Sequence, residues 1–209
     1  LCPSGFFTPS LALRRQAQRS IQASETPMSE TQNPMPLTVQ ALTPDAFAPF
    51  GWMLGQAFPA EPNASAFTNP ATDFWHQHNF QTGASNGAEI LWVNYRNTDR
   101  FVTHLEKHLL TEQAIVPLTG SIIQIMASSH ADGSVDLASA AAFIVHPGQG
   151  ICMRAHAWHA TRSLSAEVTC LMLTRPSTTI DLVGHMRDGQ AAHESAIVEI
   201  PRLAFTDSH

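Results

Sequence analysis

Three ionisable side chains recur at every second position of one short segment: His104, Glu106 and His108. Side chains on a β-strand alternate between its two faces, so a strand over this segment places all three on one face. Burying three such groups together is unfavourable unless they bind a metal ion or a polar substrate. Imidazole and carboxylate groups bind several divalent metals, so the pattern predicts a metal or acid–base site without fixing the metal.

The same segment also fits a helix. Phe101, Leu105 and Leu109 would then form one apolar stripe, and His104 and His108 would lie one turn apart, a spacing that also suits a metal. The segment by itself favours neither structure. The two apolar runs at 114–118 and 121–126 flank a Thr-Gly pair, which is typical of a strand, a turn and a second strand, and this context favours a strand.

Other candidate catalytic or substrate-binding residues lie far apart in the sequence. His159 follows a tryptophan, and its value as a candidate comes from pairing with His108. Arg96 and Arg175 each end a predicted strand, where a guanidinium group is well suited to bind a carboxylate substrate, although a surface ion pair is the alternative for both. His78 lies on a strand predicted over 74–80, and we expect it at the surface.

The composition predicts one folded domain. Of 209 residues, 44% are hydrophobic and 13% are charged, and the formal net charge of −6 argues against a nucleic-acid-binding surface. Cys2, Cys152 and Cys170 show no CxxC spacing, and we interpret Cys152 as an inert core thiol. No apolar run approaches the roughly 18 residues of a membrane helix. We therefore expect a cytoplasmic protein with no disulfide framework.

Many short strands with Gly and Pro turns, and only one or two short helices, predict an all-β barrel or sandwich. We expect residues 1–34 to form a disordered N-terminal extension, although their early arginines also resemble a transit peptide. Residues 35–183 would form the β-barrel domain. Residues 184–209 would form a C-terminal tail with one possible short strand at 197–200.

Several motifs resemble the ureidoglycolate lyase family, also called ureidoglycolate hydrolase, of the cupin superfamily. The family shows Leu-Glu-Arg-His, then Gln-Ala-Phe-x-Pro-x-x-Gly, then Ala-Phe, a Gly-Gln-Gly turn and Trp-His. The matching residues, in the same order, are Leu105-Glu106-Lys107-His108, Gln113-Ala114-Ile115-Val116-Pro117-Leu118-Thr119-Gly120, Ala142-Phe143, Gly148-Gln149-Gly150 and Trp158-His159. The resemblance runs from about residue 37 to about residue 176.

The chain departs from the family pattern at several positions. Cys152 stands where the family usually has Asn, and Arg154 stands where it has His. Ala160 replaces a second His after Trp-His. Thr174 precedes Arg175, where the family has Asp.

The resemblance implies a cupin-like β-barrel or jelly roll that cleaves ureidoglycolate to glyoxylate and urea. In cupin terms it places Glu106, His108 and Gln113 at the first motif and His159 at the second. It thus implies a divalent metal, with nickel as the ion, held by His108, Gln113 and His159. Glu106, His108 and His159 would be catalytic, and Arg96, Gln113 and Arg175 would bind the 2-hydroxy acid substrate.

Two alternatives remain open. One is another metal-dependent cupin enzyme, a dioxygenase or an isomerase, acting on a small carboxylate. The other is a non-catalytic cupin that binds a small ligand. For any of these, we expect a homodimer, because cupin-type sheets often leave an apolar edge to cover.

Overall fold

A computed structural model of the protein describes residues 33–61, 65–84 and 87–206. The extension predicted for residues 1–34 lies outside the described residues except for its last two positions. The described elements are β1 (Met35–Ala41), α1 (Pro44–Phe47), β2 (Gly51–Leu54), β3 (Ala66–Asn69), β4 (Thr72–Trp75), β5 (Glu89–Tyr95), β6 (Phe101–His108), β7 (Gln113–Pro117), β8 (Ile122–Ser129), β9 (Val135–Val145), β10 (Gly150–Met153), β11 (Trp158–Ser163), β12 (Val168–Thr174), α2 (Pro176–Asp188) and β13 (Ser195–Thr206).

The strands form two main sheets, which confirms the all-β, cupin-like prediction. Six strands close a barrel in the order β1-β13-β6-β11-β8-β9, and five form a second sheet in the order β2-β10-β7-β12-β5. β3 and β4 form a separate hairpin. Strand β12 shows why these segments form strands, because Val168, Cys170, Met172 and Thr174 are buried while the residues between them are only half-buried.

The apolar core has two parts. One cluster contains only residues of the six barrel strands, including Val102, Leu105 and Leu203, and it fills the closed barrel. The other joins barrel residues such as Phe143 to residues of the five-stranded sheet such as Ile115. The second cluster therefore lies between the two sheets, and polar side chains on those two facing surfaces share one interior space.

Strand β6 settles the choice between strand and helix. Leu105 packs inside the closed barrel, and the ammonium of Lys107 lies 4.3 Å from the Trp158 ring centroid. Glu106 and His108 project from the opposite face of the strand, toward the space between the sheets. The alternation expected from the sequence is thus present in the fold.

A short capped helix precedes β2. Thr43 caps α1, because its Oγ1 accepts a hydrogen bond from the backbone N–H of Ala46 at 3.2 Å, and Pro44 occupies the first turn. Phe47 at the end of α1 is fully buried and packs edge-on against Phe143 at 5.3 Å.

Two sequence predictions need correction. The strand predicted over 74–80 ends at Trp75, and residues 76–80 have no regular structure. The segment predicted as a tail from residue 184 contains the end of α2 and all of β13, and β13 lies between β1 and β6 in the barrel. A boundary at residue 183 would therefore cut through the barrel.

No helix within the described part of the chain is long and apolar enough to cross a membrane.

Replacing Leu203 by Ala tests whether β13 belongs to the cooperative barrel. Leu203 is 1% exposed, so the truncation should lower the free energy of unfolding by about 2–5 kcal/mol in urea denaturation. The matched control is Ile180→Ala on α2, where the side chain is 72% exposed and the change should stay within about 0.5 kcal/mol. Equal, small effects for both variants would place β13 outside the cooperative unit.

Candidate active site

The candidate site lies where strands β6 and β11 meet. These strands pair at one position, His159 opposite Glu106. Beside that pair is a cavity of about 250 Å³, whose lining includes His104, Tyr95 and Thr161. Because β6, β11 and the five-stranded sheet all face this region, residues distant in sequence meet there.

Four of the residues singled out in the sequence are brought together. Ligating atoms of Glu106, His108 and His159 all lie within 4.8 Å of one another. The Gln113 side-chain amide donates a hydrogen bond to His108 Nε2 at 2.9 Å. Glu106 Oε1 and His159 Nε2 are 3.4 Å apart. A carboxylate, two imidazoles and an amide therefore converge at one point between the sheets.

The outer nitrogens of both imidazoles have their own partners. His159 Nδ1 lies 3.0 Å from the carbonyl oxygen of Ala157, which only accepts, so this nitrogen carries a proton. His108 Nε2 accepts from Gln113, so in the neutral ring Nδ1 carries the proton and donates it to Ser195 Oγ at 3.1 Å. Both rings thus turn Nε2 toward the cluster, which is the arrangement that metal-binding histidines use.

The electrostatics favour a neutral His108 and an ionised Glu106. Burial, reinforced by the nearby positive charge of His159, lowers the pKa of His108 to about 4, against the opposing effects of Glu106 and Gln113. Burial opposes ionisation of Glu106, but the adjacent imidazoles of His159 and His108 outweigh it and hold the pKa of Glu106 below its usual range. The cluster therefore presents a carboxylate and a neutral imidazole at neutral pH.

A divalent cation fits this donor set. His159 is 2% exposed, and its Nε2 has no hydrogen-bond partner among the described residues, only the Glu106 oxygen at 3.4 Å. Two acceptors facing each other in a buried site require a shared proton or a cation between them. Nitrogen and oxygen ligands of this kind suit zinc, nickel, iron or manganese, so the donors do not fix the metal.

Sequence reasoning missed the polar residues that complete the cavity. Burial raises the pKa of Tyr95 far above its ordinary value, although a hydrogen bond to Thr161 opposes this. Thr161 also donates to Gln124 Oε1 at 2.9 Å. Tyr95 on β5 and Thr161 on β11 could not be identified from the sequence. A polar residue at alternate positions of a strand is equally typical of a solvent-exposed face, and only the fold shows that these two face inward.

The two arginines predicted to bind substrate lie elsewhere. Arg96 forms an ion pair with Glu167 at 2.6 Å, with most of its side chain exposed. Arg175 donates from Nε to Ser177 Oγ at 2.7 Å and lies 3.7 Å from Glu194, at the start of α2. Neither arginine lines the cavity beside Glu106.

Two departures from the family pattern, Cys152 and Arg154, lie outside the cavity. Cys152 faces Glu112 on the other side of the five-stranded sheet, and burial and the Glu112 charge raise the pKa of its thiol. The guanidinium of Arg154 lies 4.3 Å from the Trp52 ring centroid. Ala160 packs against the core of the closed barrel and also lines the cavity.

Thr174 is the departure that faces the interior. Leu173 pairs with Ala114, so Thr174 comes beside Gln113 at the next position. Its hydroxyl is buried and has no hydrogen-bond partner among the described residues. An unpaired buried hydroxyl next to a candidate ligand marks a place where a bound molecule would gain a hydrogen bond.

The fold and the site define a cupin-like barrel with a candidate metal or acid–base centre between its sheets. The sequence profile of the ureidoglycolate lyase family matches residues 34–190. The chain therefore belongs to the ureidoglycolate lyase family.

Individual relatives are more distant. The chain is 27% identical to a ureidoglycolate lyase of Rhodobacter capsulatus over 123 residues, which is 59% of this chain and 75% of that protein. Among solved structures, a dTDP sugar isomerase of Desulfovibrio desulfuricans is 11% identical, with a TM-score of 0.38 over 64% of this chain and 78% of that one. An oxalate decarboxylase of Bacillus subtilis is also 11% identical, with a TM-score of 0.32 over 56% of this chain and 33% of that one.

Ser195→Ala should weaken metal binding in the cavity. The change removes the acceptor that orients His108, and loss of such a partner typically costs about 10–100-fold in metal affinity. Isothermal titration with Ni²⁺ measures the change, and the His159→Ala variant defines the heat from metal bound elsewhere. The control is Ser165→Ala, which removes an exposed hydroxyl that donates to the Glu167 carbonyl. Unchanged affinity in Ser195→Ala would mean that His108 is not a ligand.

His108 should make the metal-free protein less stable in acid. As the pH falls below 6.5, the unfolded chain protonates this histidine while the folded chain does not until about pH 4, so protons favour unfolding in that window. Urea denaturation of chelator-treated protein at pH 7 and pH 5 should show a loss of stability smaller by roughly 1–2 kcal/mol in His108→Gln than in the parent. Equal losses in the two proteins would contradict a buried, neutral His108.

Proposed function

We propose that this protein is a lyase that cleaves ureidoglycolate to glyoxylate and urea. The observation that carries the proposal is the convergence of Glu106, His108, Gln113 and His159 in one cavity, in a chain that belongs to the ureidoglycolate lyase family. The family match covers both β6 and β11, the two strands that supply the carboxylate and the second histidine.

The reaction is the collapse of a carbinolamide and needs little machinery. A base removes the proton of the hydroxyl group, the C–O bond becomes a carbonyl, and the C–N bond breaks as the leaving urea nitrogen takes up a proton. A single carboxylate can serve both transfers, because the proton taken from oxygen is returned to nitrogen. We assign this role to Glu106, which is ionised and whose side chain is 38% exposed toward the cavity.

The other residues would hold the metal and orient the substrate. His159 would bind a divalent metal through Nε2, and His108 would bind it through Nε2 after exchanging the hydrogen bond from Gln113 for the metal. Such a metal, when bound, would lower the pKa of the substrate hydroxyl. The Thr161 and Tyr95 hydroxyls at the cavity wall are placed to fix the substrate's polar groups.

The lining of the cavity supports a role for a cation. Of the residues that line it, Arg162 carries the guanidinium group, and that group donates to the carbonyl oxygens of Phe101 and Thr161. The guanidinium keeps its positive charge, so Arg162 and a bound metal could both attract a substrate carboxylate. The nickel ion and the homodimer implied at the sequence level stay predictions.

A second candidate is a different metal-dependent cupin enzyme, such as a dioxygenase, acting on a small carboxylate. The observation in its favour is Thr174, an unpaired buried hydroxyl beside Gln113 where the family has Asp. Bound iron and oxygen uptake with a small hydroxy acid would distinguish this activity from a lyase, which consumes no oxygen.

His159→Ala should abolish most of the lyase activity. Glyoxylate release from (S)-ureidoglycolate, with and without added Ni²⁺, should fall by about 10²–10⁴ in kcat, because the variant loses both a ligand and the partner of Glu106. The control is His146→Ala, an exposed histidine bonded to Ser121, which should keep parental turnover. No glyoxylate from the parent under either condition would refute the proposed reaction. Full activity in His159→Ala would refute the proposed site.

A further inference from the structure

A second group of ligating side chains lies on the opposite face of the five-stranded sheet. It consists of His78, Glu112 and Cys152, which we call the outer cluster. Cys152 pairs with Ala114 across β10 and β7, and Glu112 precedes Ala114 by two residues, so Glu112 and Cys152 share one face. Their neighbours Gln113 and Met153 take the other face. The outer cluster is thus separated from the cavity by the sheet itself.

The three side chains meet at one carboxylate oxygen. His78 Nε2 lies 2.9 Å from Glu112 Oε2, and Cys152 Sγ lies 3.6 Å from the same oxygen. All three ligating atoms lie within 4.8 Å of one another. Separations of this size match the spacing of ligands around a single tetrahedral ion, given bonds of roughly 2.0–2.3 Å.

The cluster is held in place before any ion arrives. The ring of Trp52 stacks on His78 with centroids 4.0 Å apart and an interplanar angle of 20°. The backbone N–H of Gln81 donates to Glu112 Oε2 at 2.8 Å, and the Glu112 N–H donates to the Gln81 carbonyl at 3.0 Å. The segment that carries His78 is therefore fixed to Glu112 by both backbone and side chain, so binding would need little reorganisation.

Charge balance favours a divalent cation. The side chains of His78 and Glu112 are 15% and 8% exposed, and Cys152 is 1% exposed. A carboxylate in so buried a position is stabilised by a cation as well as by the hydrogen bonds it accepts. A divalent ion bound to the carboxylate and a thiolate gives a net charge of zero.

We propose that His78, Glu112 and Cys152 form a second metal site, specific for a thiophilic divalent ion such as Zn²⁺. On binding, the Cys152 thiol releases its proton to solvent, and His78 binds through the Nε2 lone pair with its proton on Nδ1. A mixed sulfur, nitrogen and oxygen set selects zinc-like ions over magnesium or manganese, and three protein ligands leave a fourth position for water. Because Cys152 stands where the family usually has Asn, the site would be a property of this chain.

The sulfur ligand makes the site spectroscopically distinct from the cavity. Glu106, His108, Gln113 and His159 offer only nitrogen and oxygen, whereas Co²⁺ bound to a thiolate gives a ligand-to-metal charge-transfer band in the near ultraviolet. The chain has three cysteines, so the C2S/C170A background leaves Cys152 as the single thiol. Chelator-treated protein of this background is titrated with Co²⁺ and then with excess Zn²⁺.

We expect a charge-transfer band that is abolished by Zn²⁺ and that saturates at one equivalent of Co²⁺ once the cavity site is removed by His159→Ala. The band should disappear with the further change Cys152→Ser and persist with His159→Ala, which disrupts only the cavity. His78→Ala, a change near the surface, should weaken Co²⁺ binding by at least about tenfold. It provides the test if Cys152→Ser fails to show a cooperative thermal transition. Absence of the band at saturating Co²⁺, its survival in Cys152→Ser, or unchanged affinity in His78→Ala would overturn the proposal.

Discussion

The pairing of Glu106 with His159 is the interaction on which the site depends. It occurs at the one position where β6 and β11 are in register, and it places a carboxylate against an imidazole between two packed sheets. A carboxylate oxygen and an imidazole nitrogen this close are stabilised by a proton or a cation between them. The low pKa of Glu106 reflects this pairing, whereas burial keeps His108 neutral and the Ala157 carbonyl orients the His159 ring.

Strand β7 divides the chemistry of the molecule. Gln113 faces the interior beside His108, whereas Glu112, one residue earlier, faces outward toward His78 and Cys152. The two-residue period of a strand makes this separation automatic, since consecutive side chains must leave on opposite faces. One short segment therefore contributes to two groups of ligating side chains that a sheet keeps apart.

The departures from the family pattern lie in different parts of the structure. Cys152 and Arg154 belong to the outer face, whereas Ala160 lines the cavity with a methyl group. Thr174 is different, because its unpaired hydroxyl lies next to Gln113. The inward side chains that could bind a metal match the family pattern, and the departures lie around them.

Local patterns predicted much of the fold. The alternation in 101–108 fitted a strand and a helix equally, and the neighbouring strand–turn–strand pattern and the family resemblance favoured the strand, while the Gly and Pro turns indicated an all-β domain. Both follow from interactions among residues close in the chain, and the sequence carries that information directly. The resemblance added His159 and Gln113, which no spacing rule would have paired with β6.

The tertiary structure decided what depends on contacts between distant strands. Only the register of β11 against β6 shows that His159 meets Glu106, and only the packing of the five-stranded sheet brings Tyr95 into the cavity and leaves Arg96 at the surface. In the sequence, the segment that forms β13 resembles a polar tail. Only its pairing with β1 and β6 shows that it is a barrel strand. His78 likewise gains its partners because the segment around it folds onto Glu112. These pairings join residues that are far apart in the chain. Strand register and long-range contacts determine them, and local sequence patterns do not contain that information.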